Sequence, residues 1–203
     1  MADEFWLMAH DVRGRCLVAH RVLSLCLAGG LLGELTLAGH VSVRPDVLAV
    51  TGRQPVGRWA LEVCARVAGE PQPPHVWVRY LALTSVSTVA GRLAADGLLC
   101  RRRSRVPGVG ARWLPIDSNT ALMPGALLVT ALTREQQMEQ DGRLLGALAR
   151  EAGLHRGLLR ERWDPSAALA HLDEQVANMR PDLLVLVGSL RSALGSAVLV
   201  SAR

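Results

Sequence analysis

Lysine is absent from the chain, so all 23 basic residues are arginine. That removes the phosphate-binding lysine of a P-loop and the amine of Schiff-base or Ser–Lys catalysis. Aromatic residues make up only 3%, five Trp with one Tyr and one Phe, so Leu, Val and Ala must fill the core. Such a composition favours helices. Cysteine is scarce as well: Cys16, Cys26, Cys64 and Cys100 lie far apart and never in C-x-x-C spacing. This excludes a zinc site and a secreted disulfide framework, and reads as reduced, buried thiols in a cytoplasmic protein. A clean membrane span is missing too. The apolar stretch 16–39 is interrupted by His20, Arg21 and Glu34, and 183–200 by Arg191, whereas a span needs about 20 apolar residues. The first residues, Met1-Ala-Asp-Glu, are acidic and do not read as a signal peptide.

What is present is a chain of 203 residues, 50% hydrophobic, with mean hydropathy +0.22, net charge +5 and pI near 9.8. The size and apolar content predict one domain, 1–203, around a large buried core. The pattern predicts a mainly α fold, a compact helical bundle carrying two short β-hairpins, one of them protruding and both basic and apolar. Helices are expected over 3–9, 16–39, 58–68, 76–83, 84–96, 120–132, 134–152, 165–177 and 181–200. Thr84 or Ser85, Thr133 and Asp164 are the expected N-caps of the helices that follow them. The helix 16–39 is apolar on most sides, and Gly29, Gly30 and Gly33 inside it imply close packing of a neighbouring helix. Strands are expected at 40–44 and 47–50 around a Pro45-Asp46 turn, and at 98–105 and 111–116 around Val106-Pro-Gly-Val-Gly110. Trp59 and Trp77 read as core residues.

Catalytic signatures are lacking. The six histidines form no H-E-x-x-H, there is no G-x-S-x-G elbow, and Gly29-Gly30-x-x-Gly33 lacks the strand–turn–helix setting of a dinucleotide site. His171 and Glu174, one helical turn apart, read as a solvated helix face. Ser189 and Ser196 read as helix-packing residues. No enzyme, cofactor or metal is expected.

Arg101-Arg-Arg-Ser-Arg105 stands out, followed by Val106, Val109, Trp113 and Leu114. Arg101, Arg102, Arg103 and Arg105 suit an anionic membrane surface, with Val106, Val109, Trp113 and Leu114 inserting beside them. The protein would then be cytoplasmic and peripherally membrane-associated, tethering partner proteins. Two other readings remain. In one, 84–103 resembles the recognition helix and wing of a winged-helix DNA binder, with Ser85, Ser87, Thr88 and Arg92 on its reading face. That face has no Asn or Gln and no separating turn upstream, so nucleic acid is not the expected partner. In the other, the apolar hairpin mediates self-association and the arginines provide solubility.

The order of segments resembles the Golgi phosphoprotein 3 family over most of the chain. The resemblance rests on Asp3-Glu-Phe-Trp-Leu-Met, Gly30-Leu-Leu-Gly-Glu-Leu-Thr-Leu-Ala-Gly-His-Val, Val89-Ala-Gly-Arg-Leu-Ala-Ala-Asp-Gly-Leu-Leu before a hairpin, and Leu144-Leu-Gly-Ala-Leu-Ala-Arg-Glu-Ala-Gly-Leu154. It implies a helical bundle with a protruding apolar hairpin, peripheral binding to phosphatidylinositol 4-phosphate and, in eukaryotes, adaptor work on Golgi glycosyltransferases. The family's headgroup pocket uses a Trp and three Arg. Ala19, Ala28, Leu83 and Val86 stand at those places here, and none of them binds phosphate. Arg21 and Arg79, close in sequence to those positions, join the hairpin arginines as expected lipid ligands.

Overall fold

The computed structural model describes residues 1–102, 112–160 and 165–201, with side chains through 196. Ten helices and two antiparallel strand pairs make up the described residues: α1 Ala2–Met8, α2 His20–Leu37, β1 Val41–Val43, β2 Leu48–Val50, α3 Arg58–Gly69, α4 Pro74–Ala82, α5 Ser85–Ala95, β3 Leu99–Arg102, β4 Arg112–Pro115, α6 Ser118–Thr133, α7 Gln140–Glu151, α8 His155–Leu158, α9 Pro165–Ala177 and α10 Pro181–Ser201. The fold is mainly α and compact, as composition and pattern predict.

Helix α2 is the axis. Every residue from Leu23 to Gly33 is buried, and α1, α4, α5, α7 and α10 pack around it. Its glycines admit these neighbours: a β-carbon on Gly29 would touch Leu190 and Leu148, and one on Gly33 would stand 2.3 Å from Leu144 Cδ2. Phe5 and Trp6 are fully buried, so the scarce aromatics go to the core, together with Trp77; Trp59 is half-buried against it.

Several expectations need correction. Helix α2 starts at His20, not at 16. Residues 11–15 close a turn in which the Asp11 carboxylate accepts from the Arg13 and Arg15 amides, and Cys16 then pairs with His10. The backbone of 16–19 therefore serves a reversal that lets α2 run antiparallel to α1, although its apolar pattern continues. Thr133 does not cap the next helix. It ends α6, its hydroxyl donating to the Val129 carbonyl, and Glu135 takes a positive φ of 51° that breaks the helix. Helix α7 begins only at Gln140, because Gln136 and Met138 are held by His171 and Gln175 of α9. His171 is thus buried, not solvated. Helix α5 is preceded by Thr84, and neither Thr84 nor Ser85 caps it through its side chain. Cys26 and Cys64 are buried, with burial pushing both thiols up, but Cys16 and Cys100 are exposed. Asp164, expected to cap α9, lies outside the described residues.

Candidate functional site

A shallow pocket of about 330 Å³ opens where the N-terminal end of α2 meets the C-terminal end of α4. Arg21, Ser24 and Leu25 line it from α2, Arg79 and Ala82 from α4, Leu83 from the connection to α5 and Ala193 from α10. The local sequence explains this junction. The buried Ser85 hydroxyl donates to the Ser24 carbonyl at 2.8 Å, which pins the start of α5 to α2. Leu83 is left 81% exposed at the rim. Arg79 sits in the last turn of α4, where a cation is favoured by the helix dipole. Its Nη2 donates to Ser196 Oγ at 2.5 Å, which orients the guanidinium and leaves most of its donors open.

The pocket is one-signed. Among the described residues no carboxylate lines it, and neither Arg21 nor Arg79 makes an ion pair. The N-terminus of α2 lies beside it with no side-chain cap and no acid in its first turn, so its free N–H groups add partial positive charge. Of the four residues that the resemblance sets at a headgroup pocket, Leu83 lines this space, Ala19 precedes α2, Ala28 is fully buried and Val86 is half-buried. An aromatic cavity of about 370 Å³ beneath Trp77 and Tyr80 is different in kind: it carries Arg66 and Glu70, and Arg66 is bonded to the Tyr80 hydroxyl.

In the second hairpin, Arg101 pairs with Trp113 and Arg102 with Arg112. The Arg101 guanidinium lies 5.9 Å from the Trp113 ring centroid, a cation–π contact. Arg101, Arg102 and Arg112 are exposed and make no ion pair among the described residues, while Trp113 and Leu114 are half-buried. Arg103, Arg105, Val106 and Val109 lie outside the described residues. The base of the hairpin packs against Gly14, where a β-carbon would run into the Trp113 carbonyl and the Leu114 side chain. Gly14 belongs to the loop that delivers α2 and Arg21. That loop therefore joins the hairpin to the pocket, and the structure brings Arg21 to Arg79 and Arg101 to Trp113.

The sequence reading missed a third cluster. Arg92 donates to Asp3 at 2.8 Å and to both oxygens of Glu34 at 2.8 and 3.0 Å. Burial alone would raise the Glu34 carboxyl, but the hydrogen bonds and charge of Arg92 and the Ala2 amide hold it below the usual glutamate range. At Asp3, burial outweighs Arg92 and the carboxyl is raised. The network ties α1, α2 and α5 together. It also withdraws Arg92, like the buried Ser85, from any face that α5 could offer to a DNA groove. The signal lay in the Gly-Glu-Leu and Gly-Arg-Leu segments, but nothing local says that they meet.

His10 stacks on Trp6, with centroids 3.8 Å apart, and its Nδ1 lies 2.7 Å from the Trp6 carbonyl. Burial lowers its pKa below 6.5. The folded state thus binds the proton less well than the unfolded chain, and stability falls as pH drops below 6.5. His10→Gln is expected to flatten that part of the stability profile, measured as urea midpoint against pH. A slope identical to wild type would refute the assignment. Among the described residues, no group of three or more His, Cys, Asp or Glu could hold a metal, and no helix is long and apolar enough to cross a membrane.

Residues 1–195 match the family model described as Golgi phosphoprotein 3 (GPP34). No curated protein matches the chain.

Proposed function

The chain belongs to the Golgi phosphoprotein 3 family, and from that premise we propose that it is a non-enzymatic peripheral membrane protein that binds anionic phospholipid headgroups. The observation that carries this reading is the pocket in which Arg21 and Arg79 converge without a carboxylate. An open, one-signed guanidinium pair beside a helix N-terminus is complementary to a phosphate monoester or diester. The residues at the family's headgroup-ligand places bind no phosphate here, so the cations come from other positions, Arg21 on α2 and Arg79 on α4. The exposed Arg101 and Arg102, together with Arg103 and Arg105, add a second cationic patch that would lie against the headgroups while the hairpin's apolar residues reach deeper. Tethering of partner proteins at that surface follows from the family and is part of the same reading.

The test is cosedimentation with vesicles of phosphatidylcholine alone or doped with phosphatidylinositol 4-phosphate, cardiolipin or phosphatidylglycerol. Binding is expected to anionic vesicles only, and to weaken steeply with salt. Each basic residue at such a surface contributes about 1 kcal/mol, so Arg21→Ser with Arg79→Ser should weaken binding by about thirtyfold. Serine at positions 101, 102, 103 and 105 should abolish it. Unchanged sedimentation of both variants would overturn the reading.

A further inference from the structure

We infer that the exposed apolar stripe of α6 is a second membrane contact, seated at the boundary between headgroups and acyl chains while the Arg21–Arg79 pocket takes a headgroup. This rests on the membrane reading above. Helix α6 buries Ala121, Leu128, Val129 and Leu132 on its inner side. Its outer side should be polar in water, yet Leu122 is 57%, Met123 52% and Leu127 61% exposed. Val12 and Leu17, also exposed, join Leu122 in lining a trough of about 490 Å³ between α6 and the loop before α2. Met123 and Leu127, four positions apart, continue the exposed side of α6 beyond Leu122, and a cluster of exposed apolar residues of this kind marks an interface.

Charge and continuity decide the occupant. Arg13 in the Asp11–Arg15 turn, Arg112 on β4 and Arg156 beside the lining residues Gly157 and Leu158 are exposed and without an ion pair among the described residues. Asp11, the acid in the lining, is bound to Arg15, and Asp117 at the start of α6 is spent capping it. A rim of net positive charge repels a second copy of the same face and fits an apolar surface edged with anions. Leu17 also lies four positions before Arg21, at the same end of α2. The stripe and the pocket thus share one short segment.

The experiment compares wild type with Leu122→Ser/Leu127→Ser on phosphatidylcholine vesicles doped with phosphatidylglycerol, at low and high salt. Apolar contact is not screened, so the double variant should lose about tenfold in partitioning and most of the binding that survives high salt. Leu61→Ser on α3, 44% exposed, should bind like wild type. A second measurement does not rely on truncation: Leu127→Trp should show more quenching by bromolipid than wild type. If wild type binds and the double variant binds equally, or Leu127→Trp gains no quenching, this inference fails while the headgroup reading stands. If wild type ignores anionic vesicles altogether, both fail. A wild-type dimer in sedimentation velocity that the double variant dissociates, with vesicle binding unchanged, would assign the stripe to a second copy and overturn the proposal.

Discussion

Replacing Arg92 by alanine is expected to lower unfolding stability by about 2 kcal/mol at neutral pH. The guanidinium serves two carboxylates at once, Asp3 and Glu34. Its loss leaves Asp3 without its ion-pair partner and Glu34 with only the Met1 ammonium, 3.4 Å away. Breaking a fully buried pair costs about 3–5 kcal/mol; a quarter to a third of these side chains is exposed, so solvent screens part of that penalty. The pH dependence distinguishes this from a simple packing loss. In wild type the Glu34 carboxyl is held low by Arg92, so it adds stability above the ordinary value of 4.5 and loses it as pH falls through the folded value. Without Arg92, only the Ala2 amide and the Met1 ammonium oppose burial, so that carboxyl rises from its wild-type value and protonation relieves the variant. The gap between wild type and Arg92→Ala, read from urea midpoints, should narrow as pH falls below 4.5. Arg92→Met combined with Glu34→Gln should recover part of the loss, because only Asp3 is then left without its cation. A gap that stays constant with pH would mean that Arg92 acts through packing alone.

Gly14→Val is the other large effect. Gly14 has φ +68°, and a β-carbon there would stand 2.2 Å from the Trp113 carbonyl oxygen and 2.9 Å from Leu114 Cδ2. A carbonyl in a paired strand cannot swing aside as a side-chain tip can. A branched residue in the left-handed region adds strain, and together these cost about 3 kcal/mol or detach the hairpin base from the loop before α2. Gly97→Ala is the control. Gly97 has φ +72° with nothing near its missing β-carbon, so it isolates backbone strain of about 1 kcal/mol. Hydrogen exchange should show protection lost at 11–17 and 112–115 in Gly14→Val but retained in Gly97→Ala. Vesicle binding should weaken in the first although every arginine is kept, because the loop before α2 no longer ties the hairpin to the pocket. Retained protection at 112–115 would refute the contact.

The two motifs most telling for the family owe their form to one contact. Glu34 and Arg92 read separately as a helix end and a helix middle, and they are partners 58 positions apart. Arg21 and Arg79 lie 58 positions apart; they converge on one pocket where the Ser85–Ser24 bond, which joins residues 61 apart, pins α5 to α2. Leu17 and Val18 extend an apolar run that implies a buried Cys16, but the backbone there is used for the turn closed by Asp11. Glu174 at helical spacing implies a solvated His171, yet the carbonyl that meets its ring belongs to Gln136 on another segment.

Local periodicity and punctuation alone determined the helical class, the two hairpins and the apolar axis at α2, since these depend on neighbours within a turn or a strand pair. The family too was legible in four short segments. Only the folded chain decided which arginines are neutralised and which stay free. Whether a guanidinium at 92 meets carboxylates while those at 21 and 79 meet none depends on contacts between residues far apart in sequence. Charge that can act on a partner is what remains after those contacts are made.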